Sequence, residues 1–268
     1  MSKLVAALPM YDWPEARGEV DAQWARLRDA FRQKGIDAPE KMVRSNRDLP
    51  PVPDPATLPP DEFDFRQLWL SPALLFGQTC WGPMELGLAR HVQVVAQPDY
   101  DGFEGGQGEL YSSALVMFSD GGPSVTSPAD GNAVIPLGLM RGKRFVFNNP
   151  DSMSGLLGLT RDLQAIGESL DIFGSRSESG GHRSSIVAVA EGRADIAAID
   201  CQSWALARRF ESAARHVKVV GWTARRKGLP FITARTTPAS TIDAMREAIA
   251  GLGPGGSVAQ QSFVQRVG

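Results

Sequence analysis

Residues 144–155, Arg-Phe-Val-Phe-Asn-Asn-Pro-Asp-Ser-Met-Ser-Gly, constrain this chain more than any other stretch. Phe145, Val146 and Phe147 are strand formers, and Lys143-Arg144 after Gly142 marks where that strand begins. Asn148-Asn149-Pro150-Asp151 is turn chemistry. Ser152 or Ser154 then caps a helix whose apolar face reads Leu156, Leu159, Leu163 and Ile166. A strand that runs through a small-residue turn into a helix leaves unpaired N–H groups and the positive end of the helix dipole at its carboxyl end. That is an anion site to which two hydroxyls are added. Standing alone, the stretch reads as an ordinary capped turn. Two downstream features change the balance: Gly180-Gly181-His182 opens another helix, and residues 195–200, Asp-Ile-Ala-Ala-Ile-Asp, read as another buried strand.

With 268 residues the chain is long enough for one large domain or two lobes. Its 43% hydrophobic and 22% charged residues are those of a globular protein. The formal net charge of −2 argues against a nucleic-acid or membrane-surface role, since no basic face is available to hold phosphates. Arg225-Arg226-Lys227 is the densest basic cluster and reads as a solvated loop. No stretch approaches the roughly 18–20 apolar residues of a membrane span. Leu4 to Leu8 is too short for a signal-peptide core and stops at Pro9. The expectation is therefore either a cytoplasmic protein or an exported one whose leader is missing from the start. Two cysteines, Cys80 and Cys201, make no disulfide framework and read as free, buried thiols.

Taken in order, residues 3–8 read as a first buried strand. An amphipathic helix over 15–34 follows, with Val20, Trp24, Leu27 and Phe31 on one face. The Pro-rich segment 49–60 is a loop. A strand is expected at 65–69, a helix opening at 71–77 with Pro72 at its first position, and a turn at 78–83. Further strands are expected at 92–96 and 111–118, separated by a Gly-rich loop at 100–108. Beyond a short apolar segment at 134–140, the pattern runs strand 144–148, helix 152–166, a short strand or turn near 172–173, helix 183–191, strand 195–200, helix 203–214 and strand 217–221. Residues 230–234 form a last strand and 241–252 a last helix. Alternation of this kind is an α/β fold.

His182 lies in a Gly-Gly-His loop whose glycines allow close backbone approach to a ligand. Asp200 ends an apolar strand, and ligands of open α/β sheets collect at the carboxyl ends of strands. It can equally cap the helix that follows. Ser154, His182 and Asp200 invite a hydrolase reading, which the absence of a Gly-x-Ser-x-Gly elbow disfavours. His91 and His216 offer no metal-ligand spacing, and no Gly-x-Gly-x-x-Gly or P-loop is present. No metal and no cofactor is expected.

The order Ser152-Met153-Ser154-Gly155, Gly180-Gly181-His182 with the helix after it, and Ala198-Ile199-Asp200 resembles the second lobe of phosphonate-binding proteins of ABC transporters. Gln78-Thr79-Cys80 and Tyr111-Ser112-Ser113 are similar to that family's first-lobe and hinge segments. The resemblance implies a two-lobed α/β fold of the type II periplasmic-binding-protein kind, with two crossover hinge strands. The lobes would be 1–112 with 231–268, and 113–230. It also implies capture of a phosphonate, phosphate or phosphite between them, without chemistry. Carried over by motif, Ser152, Ser154, His182 and Asp200 would hold the anion, and Tyr11 and Tyr111 would approach from the first lobe and hinge. The implied protein is a periplasmic monomer that works with an ABC permease and binds no nucleic acid. Two departures are visible: Leu156 where the family often has an aromatic, and Cys80-Trp81-Gly82-Pro83 where relatives show Cys-Gly-Tyr-Pro. A cytoplasmic enzyme or ligand sensor on the same scaffold is the alternative.

Overall fold

The structure, a computed structural model, describes residues 3–49 and 63–253. The chain divides into two compact units, one of Met1–Asp99 with Leu229–Gly268 and one of Tyr100–Gly228. The sequence reading put the crossings at 112/113 and 230/231; the compact units meet at 99/100 and 228/229.

The first unit is built on a four-stranded sheet in the order Val5–Ala7, Leu74–Gln78, Phe231–Ala234, Val92–Ala96. Successive side chains of a strand point to opposite faces, and both faces of this sheet are covered. Ala6 and Phe76 join Trp24, Leu27, Phe31, Met245 and Ile249 on one side. Val5, Ala7 and Leu74 join Leu68, Trp69 and Met84 on the other. The helix expected at 15–34 runs from Arg17 to Gln33, and its four expected face residues are all buried.

Between them lies a double exchange of expectation. Residues 65–69, read as a strand, belong to the helix Phe65–Leu70, because Asp64 caps it and accepts from the amides of Arg66 and Gln67. Residues 71–77, read as a helix opening, lead instead into the strand Leu74–Gln78, all five residues of which are buried. It pairs in parallel with Val5–Ala7 and antiparallel with Phe231–Ala234. A central sheet position outweighs the local signal of Pro72. The Cys80–Pro83 turn forms part of the short helix Trp81–Glu85. Beyond Leu49 the Pro-rich loop lies outside the described residues.

The second unit carries a five-stranded sheet in the order Val217–Trp222, Ser113–Phe118, Ile196–Asp200, Arg144–Phe147, Ser175–Glu178. Leu115, Phe145, Ile196 and Val220 of the sheet pack with Leu159, Leu163 and Phe173. The last strand was not expected, because Ser-Arg-Ser-Glu has no apolar alternation; it is an edge strand with all four residues exposed. The helix expected over 152–166 opens with a wide π turn, Met153–Leu157, before the α-helix Gly158–Ala165, and Ile166 is exposed. The helix expected over 203–214 is Cys201–Phe210 followed by a 3-10 turn. Cys80 and Cys201 are free and buried. No helix among the described residues is long and apolar enough to cross a membrane.

Candidate functional site

Sheet register assembles the site. Arg144–Phe147 runs parallel both to Ile196–Asp200 and to Ser175–Glu178, so three neighbouring strands end at one edge. Ser152 and Ser154 follow the first, Asp200 ends the second, and His182 follows the third. The carboxyl edge of parallel strands is where α/β sheets collect ligands. Four of the six residues singled out in sequence are thus delivered to one place within the second unit.

Ser152 is the N-cap of the π turn. Its Oγ accepts from the Gly155 amide at 3.0 Å, and its carbonyl accepts from Leu156 at 3.2 Å and Leu157 at 3.0 Å. The hydroxyl hydrogen of Ser152 stays available for donation, because the cap uses only the oxygen's lone pair. Its Oγ lies 3.3 Å from that of Ser154. Ser154 Oγ in turn stands 2.9 Å from Nε2 of His182, which opens the helix His182–Ala190. The same nitrogen is 3.2 Å from Oδ2 of Asp200. Asp200 also caps its own helix, Oδ1 accepting from the Ser203 amide at 2.9 Å. The helix-capping reading of Asp200 is thus the one the hydrogen bonds bear out.

A carboxylate oxygen can only accept, so a proton carried on His182 Nε2 can be donated to Asp200 Oδ2. Burial pushes the His182 pKa below its ordinary value, and the charge of Asp200 and the carbonyl of Ala198 oppose that shift in part. The serine and the carboxylate meet the same ring nitrogen. A hydrolytic triad needs them on opposite nitrogens, so that one takes the serine proton while the other is held by the acid. The cluster presents the two serine hydroxyls beside an imidazole nitrogen shared by Ser154 and Asp200.

Tyr111 stands just before the strand Ser113–Phe118, in which Ser113 is the register partner of Asp200, so it reaches the same end of the sheet. It is fully buried, stacked on Tyr100 with ring centroids 5.4 Å apart. Tyr11 belongs to the first unit, where it closes the turn Pro9–Tyr11 and is buried. Among the described residues no group of three or more His, Cys, Asp or Glu is placed to hold a metal ion.

Residues that sequence reasoning passed over support the cluster from behind. Arg226 Nη2 pairs with Asp162 Oδ1 at 2.7 Å, and Asp162 Oδ2 accepts from the Ala224 amide at 2.9 Å. A Cβ on Gly158 would come within 2.0 Å of Arg226 Nη1, so the guanidinium lies flush on the end of the π turn. The reading of Arg225-Arg226-Lys227 as a solvated loop is corrected here: only Lys227 is exposed, and Arg226 is paired and largely buried. Nothing local signals this, because the partners are 64 residues apart in the chain.

The model of the family described as ABC transporter, phosphonate, periplasmic substrate-binding protein matches residues 84–266. The chain belongs to this family. Its fold is that of the type II periplasmic binding proteins, as solved structures of low sequence identity show. PhnD1 from Prochlorococcus marinus, solved in complex with methylphosphonate, is 15% identical over 98% of this chain and 89% of its own, with a TM-score of 0.63. A binding-protein component of an ABC phosphonate transporter from Pseudomonas aeruginosa is 14% identical over 98% and 78%, with a TM-score of 0.56. A histidine kinase sensor domain with similarity to periplasmic binding proteins is 12% identical over 98% and 96%, with a TM-score of 0.59. No curated protein matches the chain. Membership makes this a substrate-binding protein whose partners are a small-molecule ligand and an ABC permease.

Proposed function

We propose that the cluster of Ser152, Ser154, His182 and Asp200 holds a phosphonate-class oxyanion for delivery to the permease, in the periplasm and without chemical change to the ligand. The observation that carries this reading is the single His182 nitrogen facing both Ser154 and Asp200, which makes the cluster a donor array rather than a catalytic relay. Hydroxyl and N–H donors satisfy an oxyanion's lone pairs without a bulky counter-charge. Tyr11 and Tyr111 remain candidates for further contacts by family resemblance.

Asp200 sets the ligand class. A carboxylate close to a bound anion is unfavourable unless a donor lies between them. Asp200 already faces His182 Nε2 and the Ser203 amide, and a ligand that brings a further donor, the P–OH of a monoprotonated phosphonate or an ammonium, is favoured beside it over fully ionised sulfate. Calorimetric titration of the protein with methylphosphonate, phosphite, phosphate and sulfate tests this. Binding of the phosphorus oxyanions with sulfate excluded is expected, and Asp200→Asn should admit sulfate. Wild-type protein that binds sulfate as tightly as methylphosphonate would sink the reading.

A further inference from the structure

Asn148 follows the strand Arg144–Phe147 directly and is tied into both neighbouring segments of the site. Its carbonyl accepts from the Gly180 amide at 2.8 Å, in the loop that opens the His182 helix. The next carbonyl, that of Asn149, accepts from the Ser152 amide at 3.1 Å. The Asn148 side chain lies against Gly155: a Cβ there would stand 1.8 Å from Oδ1 and 2.9 Å from Cγ. Gly155 is not among the glycines with positive φ, so its backbone does not require glycine. The glycine is needed for this close approach.

Asn148 Oδ1 is buried and receives no hydrogen bond, and its amide nitrogen donates to no described residue. Native proteins rarely leave a buried acceptor unsatisfied, and in this half-buried residue it is Oδ1, not Nδ2, that is buried without a partner. Pinned on the Gly155 Cα–H, the oxygen has at most a weak contact there. The two hydrogens of Nδ2 are left over, on a residue whose backbone joins the serine turn to the histidine loop. We propose that Asn148 is a further ligand-contacting, specificity-determining residue of the site, its Nδ2 donating to an oxygen of the bound oxyanion. A neutral amide suits that role, since it adds a donor without adding charge beside His182 and Asp200.

The proposal rests on the binding function proposed above. Its test is calorimetric titration with methylphosphonate of wild type, Ser154→Ala, Asn148→Ala and Asn148→Asp, with unliganded melting curves for each. Loss of one donor to a charged oxygen is expected to weaken Asn148→Ala about tenfold with its unliganded melting temperature unchanged. Asn148→Asp keeps the shape and replaces the donor with a carboxylate, so its loss at neutral pH is larger. Its affinity should recover on acidification relative to wild type, because protonation restores a donor, a response that a merely structural residue would not give. Should Asn148→Ala fail to fold, the isosteric Asp variant decides alone. Ser154→Ala weakened with both Asn148 variants within twofold of wild type overturns this proposal and leaves the site standing. Wild-type protein that binds no methylphosphonate overturns both.

Discussion

His182 Nε2 lies 3.2 Å from Asp200 Oδ2, one residue at the start of a helix and the other at the end of a strand. The pair sets the proton balance of the site. Burial favours the neutral imidazole, while the carboxylate pulls the other way and does not prevail.

This balance predicts a pH response. The unfolded histidine takes its proton near its ordinary value of 6.5, and the folded one does so at lower pH. Below that ordinary value the unfolded chain binds more protons than the folded one, so the His182 contribution falls as pH falls and is fully present above it. Melting temperature measured from about pH 7.5 to pH 5.5 should drop less for His182→Gln than for wild type. Parallel curves for the two proteins would show that His182 is not the group responsible. Bound anion reverses the sign, because negative charge beside the ring favours the imidazolium. Methylphosphonate binding should therefore take up protons, which calorimetry in buffers of different ionisation enthalpy reads directly.

The two serines should separate by their effects. Ser152 caps the π turn through the Gly155 amide, so Ser152→Ala loses about 1 kcal/mol of stability as well as affinity. Ser154 faces His182 and caps nothing, so Ser154→Ala should lower affinity by about tenfold or more while leaving the unliganded melt nearly unchanged. Identical losses of stability in the two variants would contradict this division.

The candidate site residues were more legible in the sequence than the sheet that brings them together. Each of Ser152, Ser154, His182 and Asp200 sits within a few residues of a strand end, where turn residues and glycines mark the chain locally. The register that brings those ends together depends on pairs such as Phe145 with Ile196, far apart in the chain and silent in any window. For the same reason the segment 65–78 was read with helix and strand exchanged. Its Asp64 cap and its central sheet position competed with Pro72, and tertiary pairing decided. Ser175–Glu178 gave no signal, since an exposed edge strand needs no apolar alternation. Asn148 lies in a turn whose chemistry already accounts for an asparagine, and only the close approach of its side chain to Gly155 sets it apart.

The Asp162–Arg226 pair carries the last prediction. Both side chains are largely buried, at 7% and 17% exposure, and burial pushes the Asp162 carboxyl above its usual range despite the guanidinium beside it. Breaking a buried pair from one side strands the other charge, so Arg226→Met should destabilise the protein by about 3 kcal/mol or more. The deficit should shrink as pH falls through the raised Asp162 range, because the folded carboxyl then takes a proton more readily than the unfolded one. Adding Asp162→Asn removes the stranded charge while its carbonyl can still accept from the Ala224 amide, so the double variant should recover part of the loss. Affinity for methylphosphonate should fall in Arg226→Met, since the guanidinium supports the turn that presents Ser154. Urea unfolding of the four proteins in a double-mutant cycle measures the coupling, and additive losses would show that the two residues do not act as a pair.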